Sequence, residues 1–157
     1  DVLGMAELAG KVLDIAHTDV LDVTQTDEVG EEKGIGRIGE LPETMTLEEC
    51  CVYVKHKLEL GSLKVFGDMN RPVRRLAPGS GKSGIPVALA KGADVLVTGD
   101  IGHHDGLDAV EQGLAIIDAG HYGTEYIFIE DMKQFLNRKL PVLDVLTDPV
   151  EHPFQIV

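Results

Sequence analysis

Apolar residues recur at two periods along this chain, and the change of period organises it. Leu8, Val12 and Ile15 repeat at helical spacing and predict a helix over Met5 to Ile15. Asp19 to Lys33 carries no such repeat. It is acidic and rich in Thr and Gly, and reads as an exposed loop or a weak strand. Gly34 to Leu41, GIGRIGEL, sets Ile35 and Ile38 among glycines, the pattern of a short irregular strand whose backbone approaches something closely. Pro42 is expected to end it. Thr46-Leu47-Glu48-Glu49 is a capping box, with Thr46 as N-cap and Glu49 reaching back. Leu47, Cys50, Cys51, Val54 and Leu58 then form a helical apolar face, and Gly61 closes the helix. Leu63 to Phe66 and Val73 to Ala77 read as strands joined by the turn Gly67-Asp68-Met69-Asn70.

From residue 85 the period alternates. Ile85 to Lys91 is a helix stopped by Gly92, and Ala93 to Thr98 is an apolar run suited to a central strand covered on both faces. His104 to Gln112 is a helix stopped by Gly113, and Leu114 to Ile117 is a strand. A helical pattern follows from Thr124 to Leu140, then a strand over Val142 to Leu146. Alternation of this kind predicts parallel strands joined by crossover helices. The fold class is therefore α/β: a mixed, largely parallel sheet flanked by helices, with residues 1–157 as a single domain.

Composition narrows the function classes. Lys+Arg number 14 against Asp+Glu 27, a net charge of −13. Such a surface argues against nucleic acid or an anionic membrane as main partner, and Arg71, Arg74 and Arg75 are too small a group to reverse that. No apolar run approaches the roughly 20 residues that span a bilayer, and no signal-peptide pattern is present. Cys50 and Cys51 are adjacent on a predicted helix, which suits neither a mutual bridge nor a zinc spacing. Core-facing thiols in a reducing cytoplasm are expected.

The candidate chemistry lies after the strands. Asp118-Ala119-Gly120-His121-Tyr122-Gly123-Thr124-Glu125 joins a strand to a helix, the junction where open α/β sheets place ligands. His121 and Glu125 are four apart, so on one helix face their Cβ atoms stand about 5–6 Å apart. An imidazole and a carboxylate suit zinc, iron, manganese or similar cations. The bland alternative is a helix-entry histidine with a glutamate favoured by the helix dipole. The second cluster, Thr98-Gly99-Asp100-Ile101-Gly102-His103-His104-Asp105, follows the central strand. Parallel neighbouring strands would put it at the same sheet edge.

Other candidates are weaker. Pro78-Gly79-Ser80-Gly81-Lys82-Ser83 fails as a phosphate loop, because Leu76 stands where that motif needs a glycine. Its Gly-Ser-Gly turn remains either an anion nest or a plain turn. No G-x-S-x-G is present, and neither cysteine follows a strand. His56 reads as solvated, His152 lies in a Pro-flanked tail, and His17 has no obvious partner.

GIGRIGEL, Met45-Thr46-Leu47-Glu48-Glu49, Gly79-Ser80-Gly81, GADVLVTGDIGHHDGLDA (92–109) and IDAGHYGTE (117–125) together resemble the GTP cyclohydrolase I type 2 homologue family, the NIF-three-like dinuclear metal-centre proteins. The resemblance runs over roughly residues 34 to 140. It implies two similar α/β halves facing a cleft that holds two divalent metals, a hexameric assembly and a metal-dependent hydrolysis, GTP cyclohydrolase-like or of phosphoesters and nucleotides. It makes His121 and Glu125 metal ligands and sets His104 nearby, as a second-layer residue or proton shuttle. His103 stands where relatives commonly have an aromatic residue. The family's other ligands, a His-His pair and an aspartate, come from a first half that this chain does not match. His17 to Asp22 echoes the aspartate segment only faintly. Some relatives carry an extra domain before GIGRIGEL, and the short approach here is expected to leave no room for it. The resemblance thus implies the second half of a two-half protein, completed by another half or a neighbouring copy, acting on a small molecule. The rival expectations are a non-catalytic metal-binding, regulatory or scaffold protein acting as an oligomeric ring, and a phosphate-binding module built on the Gly-Ser-Gly turn.

Overall fold

The structure, a computed structural model, describes residues 4–79, 81–149, 151, 155 and 156. Ser80 of the Gly-Ser-Gly turn and His152 of the tail lie outside the described residues. Helix α1 (Met5–Val12) leads into a long hairpin of β1 (Ala16–Thr26) and β2 (Glu32–Thr46). Helix α2 (Leu47–Lys57), β3 (Lys64–Phe66) and β4 (Pro72–Pro78) follow. Then come α3 (Ile85–Ala90), β5 (Val95–Thr98), α4 (His103–Glu111), β6 (Ala115–Asp118), α5 (His121–Glu125) and α6 (Phe128–Lys139).

The six strands form one sheet in the order β1-β2-β4-β5-β6-β3. It is mixed. Strands β4, β5 and β6 run parallel, whereas β1/β2, β2/β4 and β3/β6 are antiparallel. The parallel part is therefore the centre, narrower than the alternation of periods suggests. Every residue of β5 and β6 is buried, as continuous apolar runs require when both faces are covered. Side chains alternate between the faces. Val95, Val97, Ala115 and Ile117 pack with α2 residues Leu47, Cys50 and Val54. Leu96 and Ile116 pack on the opposite face with Ile85 and Ala88 of α3 and Ala109 of α4.

Helix α2 starts where its sequence says. Thr46 accepts a hydrogen bond from the Glu49 amide at 3.2 Å, and Glu49 accepts from the Thr46 amide at 2.8 Å. Cys50 and Cys51 are buried and unbridged. Burial, then the neighbouring Cys51, pushes the Cys50 thiol up to about 12, so it stays protonated and inert. Among the described residues no helix is long and apolar enough to cross a membrane.

Five expectations are corrected or narrowed. Val142 to Leu146 is not a strand, and Val142 and Leu146 are 91% and 83% exposed. The edge of β6 that a further parallel strand would join is taken by β3, with Lys64 opposite Asp118. Asp19 to Lys33, read as an exposed loop or a weak strand, takes the strand alternative and is most of a hairpin, whose solvated strands hide the apolar alternation. Its turn is set by the Asp27 carboxylate, which accepts from the Val29 and Glu31 amides, and by Gly30 at φ 85°. GIGRIGEL is the middle of β2 rather than a short strand. Pro42 does not end β2 because it falls in the irregular stretch between the Glu40 and Met45 pairings to β4, where no ladder hydrogen bond is lost. The helix from Thr124 to Leu140 is two helices, interrupted at Tyr126 and Ile127. Here the Tyr126 hydroxyl donates to the Leu58 carbonyl.

Because Ile116 is fully buried between the sheet and the helices on one face, Ile116→Ala is expected to lower unfolding free energy by about 2–5 kcal/mol. Val142→Ala is expected to change it by less than about 0.5 kcal/mol. Urea unfolding of both variants checks the pair.

Candidate metal centre

The C-terminal ends of β5 and β6 each turn sharply and meet. The Ala119 amide donates to the Thr98 carbonyl at 2.8 Å, tying the two exits together. Gly99 lies so close to the second loop that a Cβ there would stand 2.6 Å from the Gly120 carbonyl carbon and the His121 nitrogen. No side chain fits, which explains the glycine of Thr98-Gly99-Asp100. Asp100 adopts φ 60°, a left-handed conformation that aspartate tolerates better than most residues. Gly120, at φ 73°, precedes the short helix α5.

One buried carboxylate holds this arrangement. Asp118, the last residue of β6, is 6% exposed. Its Oδ1 accepts from the Asp100 and Gly120 amides, each at 3.0 Å. Its Oδ2 accepts from the Ile101 amide at 3.0 Å and pairs with Lys64 Nζ at 2.8 Å. Lys64 also donates to the Ile101 carbonyl at 3.0 Å. Burial alone would raise the pKa of this carboxyl. The hydrogen bond from Lys64, those from the Ile101 and Gly120 amides and the Lys64 charge outweigh it and hold the pKa below the ordinary value.

On this platform stand three exposed side chains. His121 Nε2 lies 3.0 Å from Glu125 Oε1 one turn along, as the four-residue spacing predicts. Its Nδ1 lies 3.3 Å from Asp100 Oδ2. Thr124 locks the turn beneath by donating to the His121 carbonyl at 2.9 Å. The two clusters thus converge on His121 through Asp100. His104 stands apart. It is exposed at the start of α4, edge-on to His103 with ring centroids 5.5 Å apart, and among the described residues no hydrogen bond or ion pair joins it to His121 or Glu125. A helix cannot aim adjacent residues at one point, and Gly102 turns the chain away before α4 begins. His56 is exposed, as expected, and His17 is exposed as well.

An imidazole and two carboxylates are a fit donor set for a borderline divalent cation. The three do not converge, since His121 gives one nitrogen to each carboxylate. Among the described residues no group of three or more His, Cys, Asp or Glu side chains is placed to hold a metal ion. His121 and Glu125 therefore fit as part of a ligand set that needs further donors.

The same two residues line a cavity of about 380 Å³. Its other walls come from α1, the glycine-rich part of β2 and the loop after β4, including Ala6, Glu7, Ile35, Arg37 and Gly79. Sequence reasoning gave no role to Asp118, Lys64 or Arg37. An acid closing the buried run Ala115-Ile116-Ile117-Asp118 was the available signal for the first, because such a charge must find partners.

The profile of the Duf34/NIF3 (NGG1p interacting factor 3) family matches residues 1–152. The GTP cyclohydrolase 1 type 2 homolog of Bacillus subtilis is 39% identical over 121 residues, covering 76% of this chain and 31% of the relative. The homolog of Streptococcus pneumoniae is 41% identical over 123 residues, covering 74% of this chain and 46% of the relative. The chain thus spans 31% to 46% of the length of these curated relatives. Among solved structures, a Staphylococcus aureus hypothetical protein is similar with TM-score 0.83 at 26% identity, over 98% of this chain and 64% of that one. A Bacillus cereus protein related to NIF3 shares the fold at TM-score 0.85 and 21% identity, over 98% of this chain and 70% of that one.

The lowered pKa of Asp118 fixes the sign of its pH dependence. Its contribution to stability is complete above the ordinary aspartate value of 3.8 and is lost as pH falls below it through the folded value. Asp118→Asn is expected to lack this acid-dependent loss and to be less stable than wild type at pH 7. Urea unfolding between pH 7 and pH 2 measures both.

Proposed function

The chain belongs to the Duf34/NIF3 family, and from that premise we propose that it supplies two ligands, His121 and Glu125, to a divalent-metal site used for hydrolysis of a small molecule. The observation that carries this reading is the 3.0 Å approach of His121 Nε2 to Glu125 Oε1 at the rim of the cavity, at the C-terminal ends of the parallel strands. When bound, a divalent cation supplies a Lewis acid there. This chain's residues do the rest. His121 and Glu125 bind the ion, Asp100 orients the imidazole through Nδ1, and Asp118 fixes the loops that carry all three. A complete site of two ions needs ligands from a first half or from a neighbouring copy, so the working form is a homo-oligomer, with a hexamer as the proposed assembly. Zinc, iron and manganese all suit the donors.

A second reading is a non-catalytic metal-binding, regulatory or scaffold protein that acts as an oligomeric ring. The exposed position of His104 beside His103 favours it, since among the described residues no hydrogen bond or ion pair joins it to His121.

Elemental analysis of purified wild type, Glu125→Ala and His121→Ala is expected to find metal in the first and at least about tenfold weaker retention in the variants. Metal held equally by Glu125→Ala refutes the ligand assignment. Chelation is expected to abolish any hydrolysis. Full metal with no turnover on nucleotides or phosphoesters selects the second reading.

A further inference from the structure

Helix α6 carries an apolar face that the rest of the chain leaves uncovered. At about 100° per residue, Phe128, Ile129, Met132, Phe135 and Leu136 fall on one side of the helix, in an arc about 120° wide. A stripe of that width belongs to a helix that packs against something. Yet α6 has no buried residue. Among the described residues, none of the five joins either apolar core, although Ile127 just before the helix does. No other element packs extensively on α6. The chain beyond it does not fold back as a cover either, since Val142 and Leu146 stay 91% and 83% exposed. Phe128 and Leu140, at the two ends of the stripe, are each 45% exposed.

The charges beside the stripe identify what covers it. Glu130 and Asp131 stand in the first turn and Arg138 and Lys139 in the last, so one end is acidic and the other basic. Asp131 and Arg138, seven apart, border the stripe on the same side. Among the described residues, neither side chain has an ion-pair or hydrogen-bond partner. A second α6 laid antiparallel across a two-fold axis suits both the stripe and the charges. Asp131 then faces the partner's Arg138, and the symmetry repeats the pair. The same alignment sets Ile129 against the partner's Leu140, Met132 against the partner's Leu136 and Phe135 against its own copy at the axis. A parallel pairing would bring the two acidic ends together and the two basic ends together. Copies of a chain with net charge −13 repel one another over most of their surface. Contact between them therefore favours a place where opposite charges meet, as they do here.

We propose that α6 is the docking surface for the α6 of a second copy of this chain, the two helices packed antiparallel about a two-fold axis. The contact does not rest on the metal-site reading and is distinct from any contact that completes that site. Helix α6 is about 18 Å long, and α5, with His121 and Glu125, precedes its first residue. Antiparallel packing thus sets the two sites at opposite ends of the pair. The helix end that each site meets is the partner's Arg138 and Lys139, which are not metal ligands.

The test is sedimentation velocity of wild type, Phe135→Glu, Asp131→Arg, Arg138→Asp and the double exchange of Asp131→Arg with Arg138→Asp, with metal content and melting temperature measured on each. Wild type is expected to associate at micromolar concentration. Phe135→Glu is expected to weaken association by at least about tenfold, because its charge meets its own copy inside an apolar contact. Each single charge reversal is expected to weaken association, and the double exchange to restore it. That rescue decides the matter even where Phe135→Glu lowers the melting temperature. Oxidative cross-linking fixes the direction of packing. Phe135→Cys is expected to bridge to its own copy. Asp131→Cys is expected to bridge to Arg138→Cys in a mixture and not to itself. The native thiols, both buried, give no background. A monomeric wild type, no rescue by the double exchange, or an Asp131→Cys bridge to its own copy overturns the proposal, as does unchanged association in Phe135→Glu. Metal content is expected to match wild type throughout. A chain that pairs through α6 and holds no metal refutes the metal site and leaves this contact standing.

Discussion

The arrangement of the candidate site hangs on one buried charge. Asp118 sits at the end of β6 with both carboxylate oxygens fully used, Oδ1 by the Asp100 and Gly120 amides and Oδ2 by the Ile101 amide and Lys64. A carboxylate in that position costs free energy unless such partners are present. Those partners are the backbone of the two loops that carry Asp100 and His121. The carboxylate therefore converts an electrostatic requirement of the core into a fixed geometry at the surface. Lys64 supplies the neutralising cation from β3, the strand that also seals the edge of the sheet. Closure of the sheet and placement of the site are thus the same event.

Much of this was legible in the sequence, for reasons that differ by element. The capping box at Thr46, the all-apolar β5 and β6 and the helices stopped by Gly92 and Gly113 are local signals, and the structure follows them. The His121–Glu125 contact was legible too, because four-residue spacing on a helix is geometry. The β1–β2 hairpin was not. Most of its residues are solvated, so neither face carries an apolar repeat, and pairing rests on backbone hydrogen bonds that leave no mark in composition. Val142 to Leu146 failed in the opposite way. It has the composition of a strand, but whether a strand forms depends on a free edge, and β3 had already taken it.

The site divides along the same line. Which residues approach His121 within its own helix is a matter of spacing. That Asp100 approaches from the other side depends on Gly99, which lets the loops touch, and on the left-handed turn at Asp100. The same turn feeds Gly102 and α4, and so carries His104 away from His121. Of the residues in this loop, Asp100 is the one whose side chain pairs with His121, while His104 stands beside His103. The difference lies in one loop conformation held by Asp118.

His121 uses both ring nitrogens on carboxylates, and all three side chains are more than half exposed. Ion pairs that exposed contribute little to stability, commonly under about 1 kcal/mol. The core does not need them, since Asp118 already fixes the loops from beneath. Exposed polar groups held in a defined relation by a buried device, at the rim of a cavity, are better accounted for by a ligand than by folding. Three polar side chains that face solvent also leave room for groups from elsewhere, and the chain spans less than half the length of these curated relatives. The cavity has the same asymmetry. One side presents the imidazole and carboxylate, and the other presents Arg37, ion-paired to Glu7.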